Sequence, residues 1–222
     1  MNKVPLREKL GYGVGAIGLD LSYGMFYSYL SLYLTNGLGI KPLFLLILAP
    51  LARLWDGIND PMMGTIVDKT RTKWGKCRPY LLFVPFPIMI ITILCFTNFG
   101  FYDPAASATS MHNILIVAYA AFTYILWGMT YTVGDIPLWG ITALMTEKDD
   151  DRNKLLSFAR IWASVGAGIT LLTVNSVALK LGNTFAVNGR TPAQGERLGF
   201  ITAAVIFSVV GFILYQMAGI FV

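Results

Sequence analysis

Arg53, Asp56 and Asp60 stand in the stretch Ala52-Arg-Leu-Trp-Asp-Gly-Ile-Asn-Asp-Pro-Met-Met-Gly64, directly after the wholly apolar run 43–50. On one helix they fall at i, i+3 and i+7, and so share a face. Asn59 stands among them. A guanidinium, two carboxylates and an amide on an apolar helix are costly unless they bind or pair with something. Three more charges sit in comparable surroundings: Asp20, Asp135 and Arg160. At mid-membrane each would cost ~2.5–3.5 kcal/mol if unpaired. The set holds four negative and two positive charges, so a bound cation would offset the excess. A protonated carboxylate, or a lysine from another segment, would do the same.

Aromatic residues accompany these charges. Tyr23, Gly24 and Tyr27 follow Asp20 at i+3, i+4 and i+7, while Trp127, Tyr131, Asp135 and Trp139 step by four. Thr132 lies three residues before Asp135, and Ser157 and Ser164 flank Arg160. An indole or phenol face beside charged hydrogen-bonding groups suits a sugar: its C–H face stacks and its hydroxyls pair. Pro137 and Gly134 are expected to loosen the helix beside Asp135 and expose backbone groups to a cavity.

The elements that must hold these residues are membrane helices. The 222 residues are 55% hydrophobic and only 13% charged, with a mean hydropathy of +0.62; soluble domains carry roughly 25% charged residues. Six spans are expected, over 11–35, 42–67, 79–99, 113–145, 155–180 and 198–222, forming one all-α bundle over 1–222. Eleven Lys/Arg fall in the N-terminal tail (Lys3, Arg7, Lys9) and the loops 68–78 and 146–154, against four (Lys41, Lys180, Arg190, Arg197) in the others. The positive-inside rule places both termini in the cytoplasm, with loops 100–112 and 181–197 outside; the expected location is a bacterial-type inner (cell) membrane.

Other motifs have plainer readings. Gly13, Gly15 and Gly18 match a dinucleotide fingerprint by letters, but no strand precedes them; close helix packing is expected, as for Gly166 and Gly168. Asp68, before Lys69 and Arg71, reads as a structural or gating clamp. Arg53 has an alternative as a packing charge paired to Asp56, and Trp139 as an interfacial anchor. Trp74 reads as interfacial, His112 as solvated, and Glu147, Asp149, Asp150 and Asp151 as a solvated acidic patch. Cys77 and Cys95 form no disulfide framework. There is no Ser–His or Cys–His pair and no metal cluster, so an enzyme is not expected and no cofactor is implied.

The helix 2 stretch, the run Arg71-x-x-Trp-Gly-Lys-x-Arg-Pro79, and Tyr124-Ile-Leu-Trp-Gly-Met-Thr-Tyr-Thr-x-x-Asp-Ile-Pro-x-Trp139 resemble the glycoside–pentoside–hexuronide:cation symporters, most closely the melibiose-carrier branch. The resemblance implies a major facilitator fold of twelve helices, of which this chain matches the N-terminal six. It implies a Na⁺, Li⁺ or H⁺ site at Asp56, Asn59, Asp60 and Thr132, with Asp56 and Asp60 as the carboxylate ligands. It implies a sugar site at Asp20, Asp135, Trp139 and Arg160, which Tyr27 and Tyr131 adjoin, with Arg53, Asp68 and Arg71 in structural or gating roles. Leu19 stands where the family has a lysine, and Gly134 where a larger side chain is expected, which would widen the pocket. Expected partners are a sugar or glycoside, a monovalent cation, the bilayer, and a C-terminal six-helix half or a second copy. The alternatives are a truncated, non-transporting fragment and a self-assembling homodimeric carrier or channel.

Overall fold

The computed structural model describes residues 4–97, 100, 102–103, 106–107, 110–186 and 190–222. Lys3, the last two residues of the span expected at 79–99, and parts of both expected outer loops lie outside them. Most of the described residues are helical, and there is no strand among them. Four helices are long and apolar enough to cross a bilayer: Pro42–Lys69, Met111–Met145, Asp149–Ala186 and Pro192–Phe221.

The first rod begins as α1 (Leu6–Gly24), then passes through a π-helical turn (Met25–Tyr29), a short α2 (Leu30–Leu32) and a second π turn (Tyr33–Gly37). It thus starts and ends beyond the expected 11–35. π turns inside a helix often mark functional sites, and the first lies one turn above Asp20. Tyr29 Oη pins the underwound stretch by donating to the Leu171 carbonyl at 2.6 Å. Gly39, at φ 77°, makes the turn into α3 (Pro42–Lys69), since only glycine adopts that conformation freely. α3 contains Pro50 and Pro61, which each remove one backbone donor.

The third rod is broken into α4 (Arg78–Phe83) and α5 (Pro85–Cys95) at Pro85. α6 (Met111–Gly140) is capped by Ser110, whose side chain accepts from the Asn113 N–H, and short α7 (Thr142–Met145) continues it. α8 (Asp149–Ala186) is longer than the expected 155–180. At 1.5 Å per residue it is about 57 Å long, against a hydrocarbon core of ~30 Å. Asp149, Asp150 and Asp151 are its first turn rather than part of a loop, because carboxylates stabilise the positive end of a helix dipole. α9 (Pro192–Phe221) starts earlier than expected, on a capping box of Thr191 and Gln194.

α1, α8 and α9 pack as a tight trio built on small residues. A Cβ on Gly18 would lie 2.3 Å from the Tyr215 backbone nitrogen, one on Gly15 2.4 Å from Ala218 Cβ, and one on Gly166 2.8 Å from the Ile17 carbonyl oxygen. These glycines therefore set helix spacing, as in other membrane bundles. Gly168 departs from the expectation: nothing lies within 4 Å of a Cβ built there, because it points away from the seam. Gly24 also leaves the aromatic face, since its Cβ would meet Thr170 on α8.

The basic loop does more than set topology. Arg78 donates from Nε to the Gly219 carbonyl at 2.9 Å and from Nη2 to that of Ile220 at 3.2 Å. It thereby caps the C-terminal end of α9, where carbonyls lack partners and a cation suits the dipole. Asp68 pairs with Lys76 at 2.9 Å, not with the adjacent Lys69 or Arg71, because the loop folds back over the end of α3. Arg71 is exposed. Trp74 is exposed and stacks on Phe83. His112 is exposed, but in the first turn of α6 rather than in a loop. Cys77 and Cys95 are both free and buried, and burial raises the Cys77 thiol pKa.

Candidate functional site

All six charges that the sequence places in apolar spans border one cavity of about 570 Å³. α1 contributes Asp20 and Tyr23, and the π turn that follows it contributes Tyr27; α3 contributes Arg53, Asp56 and Asp60. α6 supplies Trp127, Gly128, Tyr131, Thr132, Asp135, Ile136 and Trp139, and α8 supplies Arg160, Ala163 and Ser164. Helical spacing explains the set: 20, 23 and 27 share a face of the first rod, and 128, 131, 132, 135 and 139 share a face of α6.

On the α3 side, Thr132 Oγ1 donates to Asp60 Oδ1 at 3.0 Å and also to the Gly128 carbonyl at 3.1 Å. Asp56 approaches α6 where Gly128 leaves room; a Cβ there would sit 3.4 Å from Asp56 Oδ1. Arg53 Nη1 lies 3.8 Å from Asp56 Oδ2, and its guanidinium sits 5.0 Å from the Tyr27 ring centre. The packing charge and the cavity charge are thus the same residue. Asn59 is the exception among the expected cation residues. It is only 3% exposed, is not in the cavity lining, and its Nδ2 has no hydrogen-bond partner among the described residues.

On the α8 side, Asp135 accepts from Trp139 Nε1 at 2.8 Å and from Tyr131 Oη at 3.3 Å. The Arg160 guanidinium lies 4.8 Å from the Trp139 ring centre, an arrangement in which the cation meets the negative face of the indole. Trp139 is therefore a cavity wall rather than a free anchor. Ser164 donates to the Arg160 carbonyl at 2.9 Å; Ser157 is outside the lining. Asp20 is within electrostatic reach of both Asp135 and Arg160, and Asp135 within that of Asp60. The charges of the two sides thus face one common cavity.

Leu19 points the other way, into the core, at 1% exposure. Gly134 does not widen the pocket as expected. Its Cβ would lie 3.0 Å from both Ile88 Cδ1 and Tyr215 Oη, so it faces α5 and α9. Its small size lets Tyr215 Oη reach the Gly134 carbonyl at 2.9 Å.

Tyr23, Trp127, Gly128, Ile136, Ala163 and Ser164 complete the lining although the expected site omitted them. The step of four along α6 and the face of Asp20 already carried Tyr23 and Trp127; Gly128 has no sequence signal beyond its place one turn before Thr132. The Tyr23 ring centre lies 4.3 Å from that of Tyr27 and 5.3 Å from that of Tyr131. Arg53, Asp60 and Arg160 are exposed, so the cavity opens to one side between α3 and α8. Chemically it offers carboxylates and a hydroxyl for a cation, and aromatic faces with charged hydrogen-bonding groups for a polyhydroxylated solute.

The family model described as "MFS/sugar transport protein" matches residues 11–221. The chain is 30% identical over 211 residues to "Uncharacterized symporter YnaJ" of Bacillus subtilis (strain 168), covering 95% of this chain and 42% of that protein. It is 28% identical over 214 residues to "Isoprimeverose transporter" of Lactiplantibacillus pentosus, covering 96% and 42%. With "Inner membrane symporter YicJ" of Escherichia coli (strain K12) the identity is 29% over 209 residues, covering 94% and 41%. The chain thus spans about two-fifths of the length of these relatives. These are transporters and not enzymes, and the match to nearly the whole chain, with its apolar helices, makes it a multi-pass membrane protein that belongs to the MFS/sugar transport family.

Proposed function

We propose that the chain is one half of a sugar or glycoside carrier that couples solute entry to Na⁺, Li⁺ or H⁺. In this reading residues 1–222 form a single N-terminal bundle of six spans in a bacterial inner membrane, with both termini cytoplasmic. The shorter α4–α5 rod and the rod from Leu6 to Gly37 count as spans alongside the four long helices. The observation that carries the reading is the convergence of six membrane-embedded charges on one cavity.

The cation site would be Asp56 and Asp60 with Thr132, whose hydroxyl already touches Asp60. Asn59, buried beside them with an unused amide, would join by a small rotation of α3. The sugar would stack on Trp139 and bind Asp20, Asp135 and Arg160, with Tyr27 and Tyr131 shaping the wall. Asp60 and Asp135 line the same cavity, so a cation held by the Asp56–Asp60 pair would offset part of the negative charge that Asp20 and Asp135 present to sugar hydroxyls. Arg53 bridges the two regions through Asp56 and Tyr27, while Asp68 and Arg71 belong to the loop end and serve gating.

The second wall is supplied by a facing six-helix unit. α3 exposes Leu46, Leu54 and Ile58 at 71%, 71% and 63%, and α8 exposes Ile161, Leu171 and Leu172 at 65%, 62% and 78%. Exposed apolar faces of this kind meet lipid or a facing unit, and a two-half carrier holds solute near the midplane between its halves. The test is equilibrium binding of nitrophenyl galactoside, glucoside and glucuronide to the purified chain in nanodiscs. One class should bind, and Asp135→Asn should weaken it about tenfold or more, the loss expected for a charge-assisted hydrogen bond. Equal affinity in Asp135→Asn, or no binding of any sugar, would remove the assignment.

A further inference from the structure

Thr92 lies deep in α5, outside the cavity lining, in an apolar run that gives no sequence hint of function. It is fully buried, at 0% exposure, and Trp127 beside it is at 1%. Trp127 Nε1 donates to Thr92 Oγ1 at 2.8 Å, and Thr92 Oγ1 in turn donates to the Ile88 carbonyl at 2.7 Å. One hydroxyl therefore satisfies both itself and the indole. Trp127 is held between two rings. Phe26 stacks on it at 3.8 Å between centres and 6° between planes, and Tyr131 at 4.8 Å and 15°. Tyr131 then reaches Asp135 with its hydroxyl.

We propose that Thr92 is a positioning residue for the solute site, fixing the angle of Trp127 and through it the place where Tyr131 presents its ring and hydroxyl beside Asp135. This rests on the solute-binding reading above. A buried indole N–H needs an acceptor, and Thr92 Oγ1 is the one that Trp127 uses. Without it the indole can gain a hydrogen bond only by tilting toward another acceptor. The near-parallel stack transmits a tilt directly to Tyr131, whose hydroxyl is one of the two side-chain donors on Asp135. The cation side is reached by a different set of contacts, through Thr132 and Asp60, so Na⁺ affinity measured without sugar does not depend on this chain of contacts.

The test uses Thr92→Val, which keeps shape and removes the acceptor, and Thr92→Ser, which restores it. Sugar affinity is measured with the nitrophenyl glycoside that the unaltered chain binds, Na⁺ affinity by titration, and the indole hydrogen bond by ultraviolet resonance Raman. Thr92→Val should lose the Raman signature of the bonded N–H and weaken sugar binding about tenfold, with Na⁺ affinity and thermal midpoint nearly unchanged. Thr92→Ser should recover both. If Thr92→Val does not fold, Thr92→Ala removes the same acceptor with a smaller side chain, and should weaken sugar binding to a similar extent. The inference is overturned if either variant binds sugar as the unaltered chain does, or if sugar and Na⁺ affinities fall together with the thermal midpoint. An unaltered chain that binds no glycoside would instead remove the site reading itself.

Discussion

Asp135 is held by two aromatic donors, Trp139 Nε1 and Tyr131 Oη, and Trp139 also carries Arg160 on its ring. The tryptophan is thus wall, donor and cation platform at once. Trp139→Phe keeps the stacking surface and removes the N–H. Calorimetric titration should show sugar affinity about tenfold weaker, since hydrogen bonds to charged groups contribute ~1.5–3 kcal/mol; Trp139→Ala, which also removes the stack, should lose more. These residues were legible because charge in an apolar helix is conspicuous, and because steps of three and four identify a face. Residues whose role depends on a neighbour in space were not. Thr92 looks like any membrane threonine until Trp127 is seen against it. Gly134 invites a reading as open space until Tyr215 is found filling it.

At the level of helices, close approach of α1 to α9 and α8 sets where Asp20 stands relative to Asp135 and Arg160. Gly18→Ala would push a Cβ into the Tyr215 backbone, at 2.3 Å, and a backbone atom cannot swing aside as a side chain can. Its thermal midpoint should fall markedly, and sugar binding with it. Gly168→Ala meets nothing and replaces a helix-interior glycine, so stability should rise by up to ~1 kcal/mol. Differential scanning calorimetry of the two variants side by side checks the contrast. Helix positions were readable from hydropathy, but their ends were not. The acidic first turn of α8 reads as loop when only apolarity is counted, whereas the helix dipole favours it. The π turns after Gly24 leave no mark in the sequence at all, because they arise from how the rod fits against α8 and α9.

For the molecule as a whole, the cavity is lined by the first rod, α3, α6 and α8, and it opens between α3 and α8, where Arg53, Asp60 and Arg160 are exposed. Reconstituted alone into proteoliposomes, the chain should bind sugar without accumulating it; a facing six-helix unit should restore gradient-driven uptake. Accumulation by the chain alone would instead show that two copies complete one another. In the proposed carrier, cation and sugar share one electrostatic field across α3, α6, α1 and α8. The most direct test is the apparent sugar dissociation constant measured as Na⁺, Li⁺ or H⁺ replaces choline in the medium. One of these cations should tighten sugar binding about tenfold, with sugar tightening cation binding by the same factor, as linkage requires. Asp60→Asn should abolish the dependence. Sugar binding of equal strength in every cation and in choline, with Asp60→Asn indistinguishable from the unaltered chain, would contradict it.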